Sequence, residues 1–129
     1  MNHTSVDDFR AALRGYRASV HIRKGWFEES LPTTDWPAGA EVSVAYVDCD
    51  YYQSTVPVLA FLSDKLAHGA ILAFDDWNAF YGDPFRGQRR AFREFAQESP
   101  MFQFEPFVQF GNGCSFICLR TEKTGEQVW

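Results

Sequence analysis

The sequence predicts an α/β fold with a mostly parallel sheet and a C-terminal antiparallel hairpin. Three observations point there. Two uninterrupted apolar runs, Val42 to Val47 and Ala70 to Phe74, read as strands covered on both faces. Helical stretches with apolar residues at spacings of three and four alternate with them. Two further strand-like runs are separated by Gly111-Asn112-Gly113, whose Asn112-Gly113 step favours a hairpin.

The elements follow in order. Asp7 to Tyr16 carries Phe9, Ala12, Leu13 and Tyr16 on one side of a short helix opened by Ser5 or Asp7. Val20-His21-Ile22 reads as a short strand ending near Lys24-Gly25. Trp26 to Leu31 reads as one helical turn or two, closed by Pro32, and Thr33 to Gly39 has loop composition. After the first apolar strand, Ser54 or Thr55 caps a helix with Pro57 in its first turn, where a missing N–H is harmless. Gly69 is its C-terminal stop. Gly82 to Gly87 is loop, and Gln88 to Glu98 is a helix with Ala91, Phe92, Phe95 and Ala96 on one face. Phe102 to Phe110 and Cys114 to Arg120 form the hairpin, and the polar tail from Thr121 is expected to fray. With no repeat and no linker, residues 1–129 read as a single domain.

Composition narrows the function classes. Seventeen acidic residues against twelve basic ones leave a net charge of −5, with no basic cluster for a phosphate backbone or a membrane surface. No nucleic-acid or membrane partner is expected. No apolar run approaches the roughly 20 residues of a membrane span, and MNHTSVDD is not a signal peptide, so a cytoplasmic protein is expected. Cys49, Cys114 and Cys118 lack metal-ligand spacing and read as reduced thiols in apolar surroundings. Thirteen Phe in 129 residues is enough ring area to suggest that some is buried against a ligand or another chain.

The strand ends carry the chemistry. Asp48 and Asp50 follow one apolar strand; Asp75 and Asp76 follow the next. In open α/β sheets ligands bind outside the carboxyl ends of the strands. Adjacent parallel strands would crowd these carboxylates together, and such charges repel unless a cation or a proton relieves them. Oxygen-only ligation suits a hard divalent ion such as Mg²⁺. Helix capping or simple solvation would account for one such Asp, but two acidic pairs at consecutive strand ends favour a site. His3, His21 and His68 are scattered, with His21 read as a strand residue and His68 as a helix-end residue. Arg86, Arg89, Arg90 and Arg93, interleaved with Glu94 and Glu98, read as a solvated helix face. There is no nucleophile elbow and no P-loop.

Four segments in order then resemble the macrocin and mycinamicin sugar O-methyltransferase family. They are KGWFEESLP (Lys24 to Pro32), VAYVDCDYYQST (Val44 to Thr55), ILAFDDW (Ile71 to Trp77) and RGQRRAFREF (Arg86 to Phe95). FEPFVQFG and SFICLR follow in the expected places. The resemblance covers about Phe9 to Arg120. It implies a partial Rossmann-like fold of the class I S-adenosylmethionine-dependent methyltransferases, transferring a methyl group to a sugar or natural-product hydroxyl with Mg²⁺. It implies metal ligation by Asp48, Asp75 and Asp76, with Asp48 also taking the hydroxyl proton. It assigns Asp50, Tyr51 and Tyr52 to the acceptor side, and Gly25, Trp26 and Phe27 to the segment flanking adenine; a tight turn followed by core aromatics is the alternative for those three. Family members also have an upstream half with two strands, a Gly-rich turn and a ribose-binding acid, which nothing in these residues supplies. The expectation is therefore the C-terminal part of a methyltransferase fold lacking the first two strands. It would act with a missing N-terminal half or as a homo-oligomer, or else persist as a non-catalytic oligomerising or binding remnant. A hydrolase using the same carboxylates ranks below both.

Overall fold

The computed structural model describes residues 5–16 and 18–123. The elements run α1 (Val6–Leu13), α2 (Phe27–Ser30), β1 (Val42–Val47), α3 (Tyr52–Leu62), β2 (Leu66–Phe74), a 3₁₀ turn (Phe80–Gly82), α4 (Gly87–Glu98), β3 (Phe102–Phe110) and β4 (Gly113–Arg120). The polar tail beyond residue 123 lies outside the described residues.

The four strands form one mixed sheet in the order β1-β2-β4-β3. β1 and β2 are parallel, and β4 is antiparallel to both neighbours. The mostly parallel sheet expected from sequence is therefore corrected: only one of its pairings is parallel, because the hairpin partner β4 inserts between β2 and β3. The expected strand at Val20 to Ile22 is absent. β1 pairs only with β2, so no described strand offers that segment a backbone to bond.

The register explains the core. Leu72 lies opposite Phe116, Phe74 opposite Cys114, and Ala70 opposite Cys118, so one face of the sheet presents a continuous apolar surface. α4 covers it with the stripe Ala91, Phe92 and Phe95. Phe92 stacks on Phe116 at 4.4 Å between ring centroids and meets Phe74, Trp77 and Phe104 edge-on. Such pairs add about 0.5–1.5 kcal/mol each beyond area burial. α3 packs beside α4 through Leu59 and Leu62. Much of the Phe content is thus spent on this core. The opposite face carries Val44 and Tyr46, which are 65% and 57% exposed.

Several local expectations are also corrected. Ser5 alone opens α1, as a capping box with Asp8. Tyr51, not Ser54 or Thr55, precedes α3, which places Pro57 inside the helix rather than in its first turn. Thr55 lies within α3 and donates its hydroxyl back to the Tyr51 carbonyl at 2.9 Å. Gly69 sits within β2, not at a helix end, with φ 82°. It lies in an irregular stretch where residues 42 to 44 of β1 face residues 66 to 71 of β2. His68 accordingly belongs to a strand, and its Nδ1 accepts the Arg120 N–H at 3.1 Å. In the hairpin the positive φ falls on Gly111, the first of two loop residues, not on Asn112 or Gly113. That is the dihedral a type II′ turn requires.

Candidate functional site

β1 and β2 end side by side, with Val47 opposite Phe74 and the Asp75 N–H donating to the Val47 carbonyl at 3.0 Å. The next residue on β1's side is Asp48, and Asp76 follows Asp75. Parallel pairing therefore delivers three carboxylates to one place: oxygens of Asp48, Asp75 and Asp76 lie within 4.8 Å of one another. Asp48 is exposed, and Asp75 and Asp76 are half-buried. Tyr46, from the uncovered sheet face, donates its hydroxyl to Asp75 Oδ1. That bond, with partial desolvation and the surrounding carboxylates, pushes the Tyr46 phenol up to about 12.

Asp76 is the strained member. Its Oδ2 is buried and accepts no hydrogen bond. Burial raises its carboxyl above the ordinary 3.8, and the charge of Asp50, the side-chain contact with Asp50, and the charges of Asp75 and Asp48 push the same way. No hydrogen bond joins the two carboxyl groups unless one of them is protonated and donates to the other. A buried oxygen lacking a donor, amid converging carboxylates, is the arrangement that an oxygen-preferring divalent cation would satisfy.

A carboxyl whose folded pKa lies above its unfolded value stabilises the fold below the ordinary 3.8, and this contribution is lost as pH rises through the raised value. At neutral pH without metal, ionised Asp76 therefore costs stability. Asp76→Asn, which removes the buried charge, is therefore expected to raise the melting temperature in EDTA. A melting temperature equal to or below the wild type's would refute the electrostatic reading.

The other sequence candidates are dispersed. Asp50 is the exception, lying close enough to Asp76 for its charge to act on that carboxyl. Tyr51 is exposed and leans toward Phe80, 6.4 Å between centroids. Tyr52 turns away, donating its hydroxyl to Glu94 Oε2 at 2.6 Å beneath the Arg90 guanidinium. Gly25, Trp26 and Phe27 lie at the start of α2, with Trp26 73% exposed. Farther along this segment, Glu28 and Leu31 share a cleft with Phe61 and Lys65, beside the start of β2 rather than its acidic end. No hydrogen bond or ring contact among the described residues joins Gly25, Trp26 or Phe27 to the acids. Among the arginines of this segment Arg86 and Arg90 are exposed as expected, while Arg89 and Arg93 are half-buried; Arg86 and Arg93 lie over Phe80 and Phe85, and Arg89 donates to the Gly82 carbonyl.

Two features escaped sequence reasoning. Phe80 and Tyr81 both adopt left-handed backbone, φ 57° and 58°, a strain of about 1–3 kcal/mol each. The loop holds because Phe80 packs between Tyr51 and Arg86 and against Gly87, where an added Cβ would lie 2.8 Å from its ring. Gln88 is the other. It is buried, its Nε2 donates to the Val47 and Cys49 carbonyls at 3.0 and 3.1 Å, and its Oε1 accepts the Asp76 N–H at 2.9 Å. Its place on the stripe 88, 91, 92, 95 was the available signal: a polar residue on an otherwise apolar helix face.

Fold and acidic strand ends together place the chain among proteins built like O-methyltransferases. It is similar to the solved structure of the O-methyltransferase NovP, with a TM-score of 0.65 and 24% identity over 90% of this chain and 46% of that one. It therefore spans about half the length of that protein. The macrocin O-methyltransferase (TylF) family model matches residues 3–107, and the chain belongs to that family, as its motifs indicated. No curated protein sequence matches it. No helix among the described residues is long and apolar enough to cross a membrane.

Proposed function

We propose that these residues form the metal- and acceptor-binding part of an S-adenosylmethionine-dependent, Mg²⁺-dependent O-methyltransferase acting on a sugar or natural-product hydroxyl. The observation that carries this is the convergence of Asp48, Asp75 and Asp76, with the orphaned Asp76 oxygen among them, in a chain of the macrocin O-methyltransferase family. Asp48, Asp75 and Asp76 would hold the cation. When bound, a divalent ion supplies positive charge that orients a hydroxyl and lowers its pKa. Asp48, the exposed member, would accept the proton of the acceptor hydroxyl, and S-adenosylmethionine, when bound, would supply the methyl group. Asp50 and Tyr51 border the acceptor. Gly25, Trp26 and Phe27 would flank the adenine, and the ribose would be held by structure outside these residues, along the same polypeptide or on another chain.

Transfer of labelled methyl from S-adenosylmethionine to hydroxylated sugars, measured with Mg²⁺ and with EDTA on the protein as the cell makes it, tests this. Activity that survives EDTA or Asp48→Asn would sink the reading.

A second reading, a binding or oligomerising remnant, is favoured by one observation: no Gly-rich strand-to-helix turn occurs in the sequence. Both readings predict association. β1 has an unpaired edge among the described residues, and Val44 and Tyr46 lie bare on the sheet face beside it. The chain is expected to run as a homodimer or larger assembly in light scattering at micromolar concentration. A clean monomer would count against this.

A further inference from the structure

We propose that Gln88 is a positioning residue that sets the spacing of the three carboxylates; the inference rests on the metal reading above. Its side-chain amide uses both donors and its acceptor at once. The two N–H groups hold the carbonyls of Val47 and Cys49, the residues on either side of Asp48. The oxygen holds the backbone N–H of Asp76. One planar group thus spans the ends of β1 and β2 and ties both acid-bearing peptides to the first turn of α4.

The alternatives for these backbone groups are unequal. The Val47 carbonyl also accepts from Asp75 N–H at 3.0 Å, and the Cys49 carbonyl has only a long contact, 3.5 Å, with the Thr55 hydroxyl. Asp76 N–H has no second partner among the described residues. α4 itself is anchored elsewhere, by Ala91, Phe92 and Phe95 in the core. Removing the amide therefore loosens the strand ends more than it loosens the helix. Gln88 is 1% exposed, so water does not replace it at no cost. Gly87 keeps this geometry possible: with no Cβ, its backbone lies against the Phe80 ring and near the Asp50 carbonyl.

The test compares wild type with Gln88→Met, which keeps the length and loses the amide, and Gln88→Asn, which keeps the amide and is a methylene too short to span. Leu62→Ala, a core change outside the site, controls for general destabilisation. Two quantities are read on the full chain: exchange of the Asp76 amide hydrogen without metal, and calorimetric affinity for Mg²⁺ alone. Both Gln88 variants are expected to speed Asp76 exchange about tenfold relative to Phe74 and to weaken Mg²⁺ binding about tenfold or more. Leu62→Ala should change neither selectively. Unchanged Asp76 exchange, or Mg²⁺ affinity equal to wild type, in whichever Gln88 variant folds, overturns the proposal. Absence of Mg²⁺ binding by wild type would remove the metal reading alone, and Asp76 exchange would still decide whether Gln88 holds the strand ends.

Discussion

Saturating Mg²⁺ is expected to raise the melting temperature of the chain above its value in EDTA, and Asp75→Asn/Asp76→Asn to erase the difference. The cause is relief of repulsion among carboxylates whose oxygens lie within 4.8 Å of one another, together with a ligand for the orphaned Asp76 oxygen. Mass action sets the size: at a free Mg²⁺ concentration 100 times Kd, the fold gains about 2.7 kcal/mol. For a domain of this length that is roughly 10 °C. The same double substitution removes two negative charges, so its melting temperature in EDTA should equal or exceed the wild type's. An equal Mg²⁺ shift in wild type and variant would place the bound ions elsewhere on an acidic surface and remove the site.

The second large effect is on the cofactor. In folds of this class the adenosine is gripped mainly by the first strand's Gly-rich turn and the acid ending the second strand. Neither occurs in this sequence. Trp26, assigned by resemblance to the adenine side, is largely exposed and no described contact ties it to the acids. Lost ribose hydrogen bonds and a lost backbone cradle remove several kcal/mol, at about 1.4 kcal/mol per tenfold in affinity. Calorimetric titration of the chain with S-adenosylhomocysteine should therefore show binding in the millimolar range or none. Micromolar binding would mean that the described loops suffice, and would restore a self-sufficient enzyme. No binding alone, with recovery when a Gly-rich partner segment is supplied, supports the methyltransferase reading over the remnant.

The convergence of the three acids was more legible in the sequence than the sheet was. Asp48, Asp75 and Asp76 could be read because an apolar run followed directly by acid has few meanings, and parallel neighbours bring such ends together without help from loops. The α4 helix was legible for a similar reason, since Ala91, Phe92 and Phe95 repeat with helical period. Strand direction and order were not: nothing local in Cys114 to Arg120 says that this strand inserts beside β2 and leaves β3 at the edge. Val20 to Ile22 looked like a strand because three residues carry no information about whether a neighbour exists. Gly69 and Pro57 were misplaced for one reason. Their preferences for helix ends are averages, and here the irregular pairing of β1 with β2 and the packing of α3 decided instead. Gln88 was missed because a glutamine's role depends on which backbone groups come within reach, which only the tertiary structure sets.

Strands β1 and β2, helix α4 and Gln88 place the peptides that carry Asp48 and Asp76, and all of them belong to the layer between the helices and one face of the sheet. The opposite face, with Val44 and Tyr46, supplies only the Tyr46 hydroxyl to Asp75. The residues that place the acid cluster, from β1 through Gln88, are held by one layer of packing within residues 42–120.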